Sequence, residues 1–280
     1  MLVRRCQLHS QVVLFSLAAC QLHAVEIVAH RGASHDAPEN TLASFQLGWD
    51  QGADADELDV HLTKDGQILV IHDARTKRTA GRDAAVANQT LDELRSLDAG
   101  SWKGEQWKGE KLPALREVLA ALPEGKRLFI EIKCGPEILP ELERVLTQSG
   151  KQPGQLVLIG FGYDTLRQAK QRFSHLQVYW IVSYDADKQS GAYPDIKQLI
   201  EKAQAARLDG LDLNAKFPID AEFVSQVKTA GLQLHVWTVD DAVQAERFAA
   251  AGVEGITTNR PGWLREQLTH RSDKTQVPLH

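Results

Sequence analysis

Cysteine is scarce in this chain of 280 residues: Cys6, Cys20 and Cys134 are all it has. Two of them lie in the first 24 residues. If that segment is removed, Cys134 stands alone and no intrachain disulfide can form. Long apolar runs are missing too, since no internal stretch approaches the roughly 18 residues of a membrane-spanning helix. There is no basic stripe with interleaved aromatics. Acidic residues (37) outnumber basic ones (32), for a net charge of −5. Both facts argue against nucleic acid as a partner. Internal repeats, low-complexity tracts and a clear domain linker are also absent. What remains is a chain with 43% hydrophobic residues, enough for a sizeable core. Its length suits one large α/β domain, because barrels of that class run to about 250 residues.

The N-terminus has the pattern of a targeting segment. Arg4 and Arg5 form a charged front, Val12–Ala19 an apolar core, and Ala24 offers a small residue before a cut. Two outcomes stay open. Cleavage after Ala24 gives a soluble exported chain, periplasmic or secreted, of net charge −7 because residues 1–24 carry two arginines and no acid. Alternatively, Leu17-Ala18-Ala19-Cys20 resembles a bacterial lipobox, and a lipid on Cys20 would tether the domain to a membrane. A third, structural reading makes the segment a helix that plugs the barrel. The expected domain spans residues 25–270, followed by a flexible polar tail over 271–280.

From Val25 onward, apolar runs alternate with helical patterns. Strands are predicted at Val25–Ala29, Ala55–Leu62, Arg127–Ile132, Leu156–Ile159, Gln177–Ile181, Gly210–Leu213, Gln233–Trp237 and Gly255–Thr257, with an extra run at Gln67–Ile71. Apolar spacing of three and four predicts helices at Thr41–Asp50, Leu115–Ala121, Glu137–Leu146, Thr165–Gln171, Ile196–Ala206, Ala221–Ala230 and Ala242–Ala251. Such alternation gives a parallel sheet. Eight strands with roughly one helix each give a closed (β/α)8 TIM barrel. One connection is too long for a plain βα unit. From His72 to Arg127 the chain spends about fifty residues, including a predicted helix at Thr90–Leu97 and a Gly- and Lys-rich loop with Trp102 and Trp107. This insertion, at about 74–112, either covers and selects substrate or is a packing flap.

Chemistry-bearing residues gather where the apolar runs stop. Val25–Ala29 ends at His30-Arg31-Gly32, and Gln67–Ile71 ends at His72-Asp73. Carboxyl ends of parallel strands are where barrels of this class keep their active sites. Glu57 and Asp59 are two apart on one strand, so alternation places both on one face. Glu131 and Lys133 repeat the arrangement on the next barrel strand. Three carboxylates converging at the barrel mouth cannot stay charged together without a cation. Oxygen ligands alone point to Ca2+ or Mg2+, and zinc is disfavoured without a cysteine or histidine cluster. For any one carboxylate the bland alternative is a salt bridge, for instance Glu57 with Lys133. His30 and His72 have intrinsic pKa values near neutrality, so one can accept a proton while the other donates one. Arg31 and Lys133 are natural phosphate clamps, the first in a fork and the second as a point charge.

The supporting residues leave alternatives open. Asn40 or Thr41 caps the following helix. Glu39 either holds Arg31 or contacts metal. His61 shares the face of Glu57 and Asp59 but is expected to fill the barrel or point elsewhere. Trp237 walls a substrate pocket or is an ordinary core aromatic. Cys134 is expected as a small filler beside the site, and Asn259 as a possible cap of the terminal helix.

The ordered set His30-Arg31-Gly32, Pro38-Glu39-Asn40-Thr41, Glu57-x-Asp59, Thr63-Lys64-Asp65-Gly66, His72-Asp73, Glu131-x-Lys133 and Val236-Trp237-Thr238 resembles the glycerophosphodiester phosphodiesterase family, from Val25 to about Leu268. His-Arg-Gly alone would be weak, but the ordered set is highly specific. The resemblance implies a TIM barrel with an insertion after the second strand, and a metal at Glu57, Asp59 and Glu131. It implies an acid/base pair at His30 and His72, and phosphate binding at Arg31 and Lys133. The implied reaction converts a glycerophosphodiester to glycerol 3-phosphate and an alcohol. Two departures weaken the transfer of substrate preference. Gly160-Phe161 stands where the family often shows Ser-Phe, and Asn259 where an aspartate is usual. A lysophospholipase D on the same scaffold is one competing expectation, and a non-catalytic phosphodiester binder is another. Binding alone needs no pair of proton-transfer groups.

Overall fold

The computed structural model describes residues 25–274. The expected signal peptide or lipoprotein leader, with Cys6 and the tether at Cys20, lies outside the described residues, as does 275–280. Eight parallel strands close into a barrel: β1 (Glu26–Ala29), β2 (Ala55–Leu62), β4 (Arg127–Ile132), β5 (Leu156–Gly160), β6 (Gln177–Val182), β7 (Gly210–Asn214), β8 (Gln233–Trp237) and β9 (Gly255–Thr258). Each pairs with its successor, and β1 pairs with both β2 and β9, which shuts the ring. β3 (Ile68–Val70) stands outside it, antiparallel to β2 as the return arm of a hairpin.

Helices run between the barrel strands: α1 (Leu42–Asp50), α4 (Leu115–Ala121), α5 (Leu139–Ser149), α6 (Tyr163–Arg172), α7 (Ile196–Ala205), α8 (Ala221–Thr229), α9 (Ala242–Ala251) and α10 (Pro261–Lys274). Their starts follow ordinary capping chemistry. Thr41, Asp195, Asp220 and Asp241 each accept a backbone N–H at a helix N-terminus. The tail expected from residue 271 is helical as far as Lys274. Between Gly262 and Pro278 no glycine or proline interrupts the chain, so nothing there stops α10 at residue 270.

Three apolar clusters follow from this layering. The largest lies between barrel and helices and includes Leu58, Ile130, Leu158, Leu211, Phe223 and Phe248. Cys134 packs against this cluster, not beside the site as expected, because it alternates with Lys133. A second cluster fills the barrel with Val28, Phe129, Val157, Ile159, Tyr179 and Ile181. A third, around Leu69, Ile71, Leu91, Leu94 and Leu112, gives the insertion its own small core. The insertion also carries α2 (Lys77–Ala80) and α3 (Leu91–Arg95), the latter started by a reciprocal Thr90–Glu93 capping box. No helix among the described residues is long and apolar enough to cross a membrane.

His235 sits in the barrel, 1% exposed, between the rings of Phe129 and Tyr179 at centroid separations of 5.2 Å. Gly255 makes the room, since a β-carbon there would lie 2.2 Å from the imidazole. Burial first, and Arg127 second, lower the His235 pKa to about 3. Its folded pKa is therefore below its unfolded value of about 6.5. As pH falls through 6.5 the unfolded chain takes up a proton that the folded chain refuses, and stability is lost. Relative to His235→Leu, wild type should lose up to about 1.4 kcal/mol per pH unit below 6.5. Urea denaturation at pH 7 and pH 5 reads this, and a stability difference between the two proteins that is the same at both pH values would contradict it.

Candidate active site

Strand register assembles the mouth. Ala29 lies beside Asp56 across β1–β2, and Asp59 lies beside Glu131 across β2–β4. The carboxyl ends of the first, second and fourth strands therefore deliver His30, Glu57, Asp59, Glu131 and Lys133 to one place. Ligand oxygens of Glu57, Asp59 and Glu131 lie within 4.8 Å of one another, and all three side chains are buried. Glu57 Oε1 has no hydrogen-bond partner, and Asp59 Oδ1 has only the Lys133 ammonium, 3.5 Å away. Burial, then Asp59 and Glu131, push the Glu57 carboxyl well above the usual range. Burial and Asp59 raise Glu131 to about 7. Asp59 goes the other way. Burial would raise it, but Arg31 and Lys133 outweigh that and hold it ionised. Orphaned, buried carboxylate oxygens of this kind suit a hard divalent cation.

The loop after β1 is shaped for this cluster. Gly32 has φ +76°, and a β-carbon on it would collide with the Ser44 backbone at 2.4 Å. Arg31 and Asn40 also have positive φ, 56° and 58°, and Asn40 N–H donates to the Arg31 carbonyl at 3.1 Å. This turn lets the Arg31 backbone N–H donate to Glu57 Oε2 at 2.9 Å. The Arg31 guanidinium reaches Glu39 at 2.9 Å and Asp59 at 3.3 Å. Asn40 does not cap α1, because Thr41 does. Instead its amide donates to Asp59 Oδ2 at 2.8 Å and accepts the Asp59 N–H at 3.2 Å. Lys133 bonds Glu131 at 2.8 Å and lies 3.5 Å from Asp59, so the bland expectation of a Glu57–Lys133 bridge does not hold.

The two histidines have opposite partners. His30 Nδ1 lies 2.7 Å from Asn259 Oδ1. The Asn259 side-chain and backbone N–H groups both donate to Asp240, which fixes the amide oxygen toward His30. Nδ1 therefore carries the proton and Nε2 keeps a free lone pair. Burial, then the Arg31 charge, lower the His30 pKa to about 4. His72 Nδ1 lies 2.7 Å from a carboxylate, Asp73 Oδ1. His61 does not join the carboxylates. Its Nε2 donates to the His72 carbonyl at 3.1 Å and so props the loop that carries His72.

Trp237 donates its indole N–H to the Asp212 carbonyl at 3.0 Å and meets Phe161 edge to face at 5.6 Å. Lys133 lies over the Phe161 ring at 5.6 Å, so Trp237 and Phe161 wall the side of the mouth next to Lys133. The insertion reaches the site at two points. Lys103 donates to the Ser34 carbonyl at 2.7 Å, and Arg78 forks both Glu39 and Asp73. No sequence pattern points to Arg78 or Asp240, and Asn259 bonds His30 and Asp240 in place of the helix-cap role expected of it. All three act by reaching across loops, which leaves no periodic trace. The departure at position 259 from the aspartate that the resemblance implies is a signal for Asn259 alone.

The sequence model of the Glycerophosphoryl diester phosphodiesterase family matches residues 30–263. The chain is 36% identical over 244 residues to a glycerophosphodiester phosphodiesterase of Caldanaerobacter subterraneus, covering 85% of this chain and 95% of the relative. It is 33% identical to one of Bacillus subtilis, covering 84% and 83%. Among solved structures, an Oleispira antarctica phosphodiesterase in complex with the product sn-glycerol-3-phosphate superposes with a TM-score of 0.79 at 29% identity, over 88% of this chain and 97% of that one. With 234 of its residues, His30 to Trp263, inside the family match, this chain is an enzyme that belongs to the glycerophosphoryl diester phosphodiesterase family.

Proposed function

We propose that the protein hydrolyses glycerophosphodiesters to glycerol 3-phosphate and an alcohol, with His30 as general base, His72 as general acid, and a Ca2+ or Mg2+ ion held by Glu57, Asp59 and Glu131. The observation that carries this reading is the buried carboxylate cluster with orphaned oxygens, on a chain that presents two oppositely partnered histidines. A bound cation would supply charge neutralisation at the phosphoryl oxygens.

The residues divide the remaining work. Arg31 and Lys133 offset negative charge on the phosphate, already oriented by Glu39, Asp59 and Glu131. His30, neutral at pH 7, takes a proton on Nε2 from the attacking water, whose oxygen forms the new bond to phosphorus. The bond from phosphorus to the headgroup oxygen breaks. His72, its Nδ1–H held by Asp73, gives the Nε2 proton to the departing alkoxide. Recognition of the constant glycerol phosphate half leaves the alcohol free to vary. An acyl chain, as a lysophospholipase D would require, has Trp102 and Phe161 as exposed apolar surface, 42% and 43% accessible. A panel of lysophospholipids against glycerophosphodiesters separates the two readings.

Three measurements test the proposal. Exhaustive chelation should abolish turnover, and Ca2+ or Mg2+ should restore it. At a hundred times its Kd the ion should also stabilise the fold by about 2.7 kcal/mol, an effect that Glu57→Gln should largely remove. Full activity after chelation would remove the ion from the mechanism.

At saturating ion, kcat/KM should have an acid limb, because protonation of His30 below its lowered pKa destroys the base. Asn259→Asp places a carboxylate against Nδ1, stabilises the imidazolium and should move that limb upward. An unmoved limb would show that His30 is not the base.

With glycerophosphocholine, choline should appear at the same rate as glycerol 3-phosphate. Phosphocholine as the main product would mean that the other phosphoester bond is broken.

A further inference from the structure

We infer that Arg78, on the short insertion helix α2, is a positioning residue that locks the phosphate clamp Arg31 and the acid–base residue His72 into one frame by gripping Glu39 and Asp73 together. The proposal rests on the roles given above to Arg31 and His72, and it extends them to a residue outside the motif set.

The geometry is a double fork. Arg78 Nη1 and Nη2 donate to the two Glu39 oxygens at 2.7 and 2.8 Å. Nε and Nη2 donate to the two Asp73 oxygens at 2.8 and 3.1 Å. Each carboxylate also holds a second partner, on an oxygen it shares with Arg78 Nη2. Glu39 Oε1 accepts from Arg31 at 2.9 Å, and Asp73 Oδ1 from His72 at 2.7 Å. One unbroken line therefore runs Arg31–Glu39–Arg78–Asp73–His72. It joins the loop after β1 to the loop after β3, which are 39 residues apart at Glu39 and Arg78.

Two physical arguments give the line a function beyond holding the fold. First, the Arg78 side chain is 44% exposed. Exposed ion pairs contribute little to stability, typically about 0.2–1 kcal/mol, so four well-aligned bonds are better explained by what they orient. Second, Glu39 and Asp73 are like charges brought to a common partner. Without the guanidinium between them they repel, and each is free to let go of the group it aims. A lysine cannot substitute, because an ammonium point charge lacks the planar fork that meets two carboxylates at once. Neighbouring cations do not duplicate the role. Arg75 is paired with Asp83 at 2.6 Å, and Lys77 makes no ion pair among the described residues. The insertion is thereby a working part of the active site, since its α2 sets the spacing between clamp and acid.

Arg78→Ala should lower kcat by about ten- to hundredfold, within the range that small misplacement of reacting groups costs. It should raise KM less, because Arg31 keeps its contact with Asp59. The thermal midpoint should barely move. Arg78→Lys should recover little. Methylguanidinium at non-denaturing concentration should restore part of the Arg78→Ala activity. In a double-mutant cycle, Arg78→Ala and Glu39→Gln should be non-additive. An independent readout needs no turnover. The Nδ1–H proton resonance of His72, assigned by its loss in His72→Gln, should be visible in wild type and lost to solvent exchange in Arg78→Ala. If the wild type cleaves no glycerophosphodiester, the functional reading fails while this resonance still decides the tether. A near-normal kcat in Arg78→Ala, or a His72 signal unchanged by the substitution, would overturn the proposal.

Discussion

Two glutamates and an aspartate share a space in which their ligand oxygens lie within 4.8 Å of one another, buried from water. That crowding of negative charge is the constraint on which the mouth of this barrel depends. Isolated ions in such a site are costly, and like charges add to the cost. The chain answers with fixed positive groups and fixed dipoles. Arg31 contributes both its guanidinium and its backbone N–H, Lys133 an ammonium, and Asn40 an amide aimed at Asp59. The positive φ values at Arg31 and Asn40 belong to the same answer. Sparsely populated backbone conformations cost of order 1–3 kcal/mol each, and here they turn a main-chain donor and an amide toward buried carboxylates.

The compensation is incomplete, and the imbalance has chemical meaning. Asp59 is held ionised, while Glu57 and Glu131 are pushed up. A site that leaves some carboxyls favouring protonation exchanges those protons for a cation when one binds, so affinity for the ion should weaken in acid. The histidines border this cluster but have different immediate partners. Burial and the Arg31 charge keep His30 neutral against the opposing pull of the Asn259 oxygen, whereas a carboxylate faces His72. That difference in partners is what the proposed division into proton acceptor and donor rests on.

What the amino-acid sequence disclosed, and what it hid, divides along the same physical line. β2 and β4 run over the residues expected of them, because strands buried on both faces read as continuous apolar or alternating segments. The carboxylate pair Glu57 and Asp59 was legible since a period of two puts both on one face. Lys133 and Glu131 were legible for the same reason. Residues that act through their neighbours were not. Asp240 reaches Asn259 from another loop, and Arg78 meets Glu39 across 39 positions of chain. Neither has a local pattern to betray it, because its meaning depends on loop geometry that only the closed barrel creates. His61 shows the limit from the other side. It stood on the right face, yet its ring turns to the His72 carbonyl rather than to the carboxylates.

The halves of the barrel contribute unequally, and the insertion explains how that is tolerated. The groups proposed for proton transfer, metal and phosphate leave from the first 133 residues. The later strands close the ring, fill its interior and send back Asn259, Asp240 and Trp237 as supports. A site built so heavily on one side needs bracing against its open edge, where β3 leaves the barrel and His72 begins a loop. The insertion supplies that bracing with its own apolar core and two polar contacts to the loop that follows β1. Its core around Leu91 and Leu94 is what allows so short a helix as α2 to hold a guanidinium in a defined place. Packing distant from the chemistry thus becomes orientation at the histidine, by way of one arginine and two carboxylates.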